Sequence, residues 1–308
     1  MKIKKILITG SSGTIGTRLS EKLLDLKYDV IGVDWKKNKW LKEIDKRTIH
    51  IDLRNKKLVF EKLPKDVDLI IHLAANARVY ELVKNPELAK DNMIITFNIL
   101  EYARVHNIKN IIFASSREVY GNTQKIKHKE EDARIENCES PYSASKLLGE
   151  ALIHSYHKCF GINYVIVRFS NVYGMYDESD RVIPLFIRKA LENESLIVFG
   201  KEKVLDFTYI DDVVEGVIKI IQKFGKIKNN TFNIATGKGP KIFGLAKLIK
   251  EFLHSKSKII IKNNRKGEVV KYIADISKAK KLLNYQPRID IINGTKRSIE
   301  WYQDRINY

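Results

Sequence analysis

Short apolar runs alternate along this chain with stretches whose apolar residues recur every three to four positions. "KKILIT" is followed by an amphipathic segment to about Leu26, then come "DVIGVD", "TIHID" and "DLIIHLA". A helical period covers about Pro86 to His106, "NIIFAS" follows, a second spans Pro141 to about Phe160, and "NYVIVRF" closes the series. Strand-length apolar runs separated by helical periods predict a parallel sheet covered by helices on both faces. Beyond residue 172 the pattern loosens, with helices expected around Val182 to Glu192 and Asp212 to about Phe224. A smaller, mainly C-terminal α/β lobe is expected to gather there. The expected division gives residues 1–172 with about 206–236 to the sheet domain, and about 173–205 with 237–308 to the lobe. No internal repeat or low-complexity linker interrupts the chain.

The first turn of this pattern carries chemistry. In "ITGSSGTIGTRLSEKLL" glycine recurs at positions 10, 13 and 16 between a predicted strand and a predicted helix. Gly10 permits a tight turn, Gly13 lets backbone approach a pyrophosphate, and Gly16 lets the helix pack closely. Thr14 and Ile15 complete a loop whose helix N-terminus favours negative charge. A structural turn can use such glycines too, but Asp34 stands about 20 residues on, at the end of the next strand. Its carboxylate would accept the adenosine ribose hydroxyls and repel a 2′-phosphate, so a Rossmann-type site for NAD rather than NADP is expected. Asp52, expected to end the third strand, and Leu53 fall beside the adenine pocket, although a turn-capping role would suit Asp52 equally.

Composition narrows partners more than chemistry. A chain of 308 residues, 44% hydrophobic, can bury a large core. The apolar run Ile6 to Ile8 is far shorter than a signal-peptide core, and no stretch reaches membrane-spanning length, so a cytoplasmic protein is expected. Cys138 and Cys159 have no paired-ligand spacing, and His154 with His157 lacks a third ligand, so no metal site is expected. His72 on a buried strand reads as a hydrogen-bonded core histidine. The formal charge of +19 is spread as lysine along the whole chain, without an arginine-rich arm. That distribution fits a solvated surface or attraction of an anionic small molecule better than nucleic-acid binding.

The second constellation is "SPYSASK". Tyr142 and Lys146 are four residues apart, on one face of a helix that Ser140 and Pro141 suit as N-cap and first-turn residues. A phenol titrating near 10 is a poor base at neutral pH, and bringing it to about 7 takes roughly 4 kcal/mol of phenolate stabilisation. Lys146 and a positive nicotinamide ring could supply it together, letting Tyr142 take a sugar hydroxyl proton while the adjacent carbon gives up hydride.

With both constellations in place, the chain resembles an extended short-chain dehydrogenase/reductase of the NAD-dependent sugar epimerase/dehydratase family. The match runs from Lys2 nearly to Tyr308 through "TGSSGTIG", "IHLAA", "SSREVYG", "YSASK", "VRFSNVYG", "VIPLFIRKAL", "DFTYIDDVVEG", "NIATG" and "KGEVVKYIADISKAKKLLNYQP". The resemblance implies that Ser116, Tyr142 and Lys146 are catalytic, with Ser116 hydrogen-bonding the reacting oxygen. It places Ala74, Ala75 and Asn92 near the cofactor, Asn171 on the substrate's diphosphate, and Arg265 on its nucleotide. It also implies a nucleotide-sugar substrate, most simply a UDP-sugar, and a homodimer formed through the Pro86 and Pro141 helices.

Two departures from the family pattern bear on function. Dehydratases carry Asp then Glu after the catalytic Ser or Thr; here Arg117 and Glu118 follow. Arginine keeps its proton, so it cannot replace that acid, and a 4-epimerase working through a transient 4-keto sugar becomes the favoured reading. Arg117 would suit a hexuronate carboxylate or, pointing away, would pair with Glu118. Glu118 leaves open C5 chemistry of the kind used by UDP-glucuronate decarboxylases. Leu205 stands where many relatives place a diphosphate arginine, with Lys203, Arg181 or Arg188 as candidate replacements. A non-catalytic RNA-binding or redox-sensing descendant of the fold is the alternative from another class.

Overall fold

The structure, a computed structural model, describes residues 3–306. Its centre is a seven-stranded sheet in which every neighbouring pair is parallel. From one edge the order is Thr48–His50, Asp29–Asp34, Lys5–Thr9, Leu69–His72, Asn110–Ser116, Asn163–Phe169 and Asn230–Ile234. The central strands are largely apolar because alternate side chains enter different cores. Ile6, Ile8, Leu69 and Ile71 pack into one cluster, whereas Leu7, Ile70 and Phe113 pack into another on the opposite face. Each such burial contributes on the order of 1.5–3 kcal/mol. Strand order reverses between Lys5–Thr9 and Leu69–His72, opening a crevice at their carboxyl ends, where ligands bind in open α/β sheets.

Helix Thr14–Asp25 follows the glycine loop, and helices Glu87–Val105 and Pro141–Phe160 pack together on the second core's face. The last of these starts as its sequence predicts: Ser143 N donates to Ser140 Oγ at 3.2 Å, Ser140 N donates to Ser143 Oγ at 3.1 Å, and Pro141 opens the first turn. It ends at Gly161, whose left-handed φ of 69° suits glycine.

Three details depart from the sequence expectation. The third strand stops at His50, so Asp52 lies in the following turn, where the Arg54 N–H caps its carboxylate at 2.9 Å. The helix expected from Asp212 to about Phe224 spans Ile210–Ile227. Strand Asn230–Ile234, which periodicity did not announce, returns the chain to the edge of the large sheet.

Short parallel ladders build the region around the crevice mouth: Val204–Leu205 with Lys271–Ala274 and Lys127–His128, Asn171–Tyr173 with Phe207–Tyr209, and Leu196–Phe199 with Ile259–Lys262. Their core is continuous with that of the sheet through Val167, Phe207, Val213 and Tyr272. Among the described residues, no helix is long and apolar enough to cross a membrane.

Candidate active site

Two adjoining cavities, of about 600 and about 480 Å³, open at the strand carboxyl ends and share Ile15, Leu73, Ala75, Ala114 and Arg181 in their walls. The larger contains the glycine loop. Gly10 has φ +75°, and a Cβ there would come within 2.8 Å of the Ala74 backbone nitrogen. A Cβ on Gly16 would stand 2.1 Å from the Gly10 carbonyl oxygen, so this glycine lets the loop fold against itself. Gly13 is the N-cap of helix Thr14–Asp25 and offers no side-chain hydrogen bond, which leaves the leading N–H groups for a phosphate.

Asp34 is 9% exposed; it accepts from Ser12 N at 3.0 Å and Lys36 N at 2.9 Å. Burial pushes its pKa up, and these backbone donors oppose the shift. Asp52 is held below the usual carboxylate range by Arg54, which reaches it at 2.6 Å and Asp91 at 2.8 Å. Gly13, Thr14, Asp52, Leu53, Ala74 and Ala75 all line this cavity. Asn92 is buried and holds the adjacent loop instead, accepting from Asn76 N at 2.7 Å and donating to Asn76 O at 3.0 Å. A cradle that any Cβ would fill, uncapped helix N–H groups and a carboxylate at the strand end together fit an adenine dinucleotide.

Ser116, Tyr142 and Lys146, the expected reacting groups, line the smaller cavity. Ser116 ends strand Asn110–Ser116, and Tyr142 and Lys146 lie on one face of helix Pro141–Phe160. Ser116 Oγ accepts from Glu118 N at 3.2 Å. Lys146 Nζ donates to Ala114 O at 2.8 Å and lies 5.8 Å from the Tyr142 ring centroid. Burial pushes the Tyr142 phenol up, against opposing effects of Ser116 and then the Arg181 charge. Burial also brings Lys146 down to about 8, with Glu150 opposing the shift. The polypeptide thus keeps Tyr142 protonated and Lys146 close to its titration point.

Sequence reasoning missed Glu150, one turn beyond Lys146. It accepts from Arg168 Nε at 2.9 Å and Nη2 at 2.7 Å, and from Ser115 Oγ at 2.5 Å. Its signal was the i+4 spacing in "KLLGE". His72 is fully enclosed, with Nδ1 2.7 Å from Thr9 Oγ1 and Nε2 3.2 Å from Thr96 Oγ1, and burial lowers its pKa to about 3. It is therefore a neutral core residue.

The far wall of the smaller cavity carries a buried charge cluster. Arg117 and Glu118 are 8% and 3% exposed and paired at 2.6 Å, while Lys203 and Glu268 are paired at 2.6 Å. Arg117 Nε also donates to Asn171 Oδ1 at 3.2 Å. Arg117 Nη1 and Glu118 Oε2 have no hydrogen-bond partner among the described residues. Burial raises the Glu118 pKa, against the charges of Arg117 and Lys203. Arg265 stacks on Phe199 at 3.9 Å and Tyr80 at 4.8 Å, with Glu268 3.9 Å away. Of the three candidates to replace a cation at Leu205, Lys203 and Arg181 line the cavity with it. Arg188 is instead tied to Ser179 O at 3.1 Å and Asp180 at 3.0 Å. Asn171 already donates to Asp206 O at 2.8 Å.

Fold and site together define an NAD-binding α/β enzyme with a buried tyrosine and lysine pair in the cavity adjoining the glycine loop. The model of the NAD dependent epimerase/dehydratase family matches residues 6–235, and the chain belongs to that family. It uses NAD and is an epimerase, an isomerase. The chain is 36% identical to a putative UDP-glucose 4-epimerase of Methanocaldococcus jannaschii, over 97% of this chain and 98% of the relative. It is 33% identical to the UDP-glucuronate 4-epimerase of Thermodesulfobacterium geofontis, over 97% and 96%. The crystal structure of UDP-glucuronic acid 4-epimerase from Bacillus cereus with UDP-glucuronic acid and NAD superposes with a TM-score of 0.90 at 30% identity, covering 98% of this chain and 99% of that one.

Proposed function

We propose that the chain is a cytoplasmic nucleotide-sugar 4-epimerase that inverts a UDP-hexose or UDP-hexuronate through a transient 4-keto sugar. The observation that carries this reading is the convergence of Ser116, Tyr142 and Lys146 where the two cavities meet. Tyr142 takes the C4 hydroxyl proton, Ser116 hydrogen-bonds the same oxygen, and Lys146 holds positive charge beside the phenolate. NAD supplies a reversible hydride acceptor and a positive ring next to that phenol. After the keto sugar turns over, hydride returns to the opposite face of C4 and Tyr142 returns the proton, so no net oxidation results. Opposite-face return requires a cavity wide enough for the ring to rotate, and the smaller cavity's volume of about 480 Å³ is compatible with that.

Within this reading the favoured substrate is a hexuronate. Arg117 lines the cavity and is paired with Glu118 yet keeps a buried Nη1 unpartnered, so a substrate carboxylate that reaches it could complete its donors. Incubation with UDP-glucose, UDP-glucuronate, GDP-sugars and dTDP-sugars, with product analysis, tests both levels. Inverted C4 without loss of water supports the epimerase. Much faster turnover of UDP-glucose than UDP-glucuronate, with the ratio unchanged in Arg117→Ala, refutes the uronate preference. One observation favours a second reading: Glu118 Oε2 is buried and unpartnered, as a C5 base would require. Release of carbon dioxide from UDP-glucuronate would establish that decarboxylase instead. We also propose a homodimer through helices Glu87–Val105 and Pro141–Phe160, whose outer sides expose Phe97 and Leu148; a monomeric mass in solution would refute it.

A further inference from the structure

Residues 174–181 run from the end of strand Asn171–Tyr173 to helix Val182–Leu191, and Tyr176, Asp177, Glu178 and Ser179 form part of the cofactor cavity wall. We propose that this segment is a strap that retains NAD between turnovers, latched by Tyr176 packed against Trp40 and Trp301. The three aromatic residues are thereby positioning residues for the cofactor.

Three attachments support the strap. Thr14, the first residue of the glycine-loop helix, donates its hydroxyl to Tyr176 O at 3.0 Å. The Tyr176 ring lies 6.0 Å from Trp40, on the loop after the ribose carboxylate, and 5.7 Å from Trp301 of the C-terminal helix. Trp40 and Trp301 are themselves 5.1 Å apart, edge to face, a geometry that favours aromatic pairs. Beside this cluster, Tyr302 donates its hydroxyl to Asp177 O and Lys39 pairs with Glu178.

Tyr176 itself has φ 62°, a left-handed backbone that a bulky side chain adopts only at a cost. A conformation of that kind persists when its surroundings over-determine it, and such residues cluster at ligand clamps. Here the surroundings are the loops at the two ends of the cofactor crevice and the last helix of the described chain. The strap terminates in Arg181, which lines both cavities and whose charge acts on Tyr142. Opening the latch would therefore free the cofactor's cover and displace a cation near the reacting phenol.

The inference rests on NAD use; the 4-epimerase reading supplies its purpose, because an epimerisation returns NAD unchanged and gains nothing by releasing it. The experiment measures NAD release from the holoenzyme after dilution into excess ADP-ribose as a trap, with the freed nucleotide separated and quantified. Tyr176→Gly and Trp40→Ala are expected to release NAD at least tenfold faster than the parent chain. Tyr176→Phe, which keeps the ring, is expected to match the parent. Glycine accepts the left-handed backbone but gives up a ring that is 7% exposed, so Tyr176→Gly should melt lower than the parent, and release is compared at a temperature well below the melting point of each NAD-free variant. If Trp40→Ala fails to fold, the contrast between Tyr176→Gly and Tyr176→Phe still decides. Release within twofold of the parent in Tyr176→Gly and Trp40→Ala overturns the latch, as does equally rapid release from Tyr176→Phe. Product analysis on the parent chain tests the 4-epimerase reading separately, so the two failures are distinguishable.

Discussion

The two adjoining cavities recognise their ligands by different means. The cofactor crevice is made mostly of backbone: glycines placed so that main-chain atoms meet at van der Waals distance, helix N–H groups, and one carboxylate, Asp34, held by two amides. The smaller cavity is walled by side-chain charge, with Arg117, Glu118, Lys203 and Glu268 brought together from three distant parts of the chain. Backbone recognition is rigid and local. Buried charge is adjustable, because each ion depends on a partner that a substrate can replace.

This contrast can be broken at several points. The largest expected effect is Gly16→Ala: a Cβ 2.1 Å from the Gly10 carbonyl cannot fit without moving the loop, so bound NAD should fall to background in the purified protein. Normal NAD content would show that the loop yields. Next, Tyr142→Phe should lower turnover by about 10³-fold while NAD content and fold persist. Retained epimerisation would remove the phenol from the mechanism. Third, Glu268→Gln leaves Lys203, 5% exposed, without its carboxylate, and should cost about 3 kcal/mol in denaturant unfolding. A loss below about 0.5 kcal/mol would show that the cluster repartners without it.

The smallest expected effect concerns pH. Lys146 lies near 8, below its ordinary 10.5, so its ammonium form is lost as pH rises through 8, and kcat should fall about fivefold between pH 8 and 9. A flat profile to pH 10 would mean that Lys146 stays charged in the complex or does not act through its charge. For stability the sign is opposite: between about 8 and 10.5 the unfolded chain binds the proton that the folded one has lost. That contribution therefore makes the folded state relatively more stable as pH rises through this window.

Residues differ sharply in how far their placement could be read from local sequence. Gly10, Gly13 and Gly16 were legible because their requirement is local: a strand, a turn and a helix within a dozen residues. Tyr142 and Lys146 were legible for the same reason, since one helix sets their spacing. The Glu150 and Arg168 pair was not, because it joins a helix to a strand 18 residues later and leaves no periodic trace. Strand Asn230–Ile234 escaped notice because its polar Asn230, Thr231 and Asn233 break the apolar run, although Phe232, Asn233 and Ile234 are fully buried. Asn233 is accommodated there by donating to His128 O and Asp275 O, both at 3.1 Å.

Periodicity and short motifs were enough to establish a parallel sheet, a dinucleotide loop and a tyrosine–lysine helix face, since each follows from interactions between residues a few positions apart. Which cations line the smaller cavity, that Arg117 is also held by Asn171, and that Tyr176 is gripped by tryptophans at positions 40 and 301 follow from long-range folding alone. Desolvation and ion pairing depend on everything within a few ångströms of a group, and in this fold those neighbours come from opposite ends of the chain.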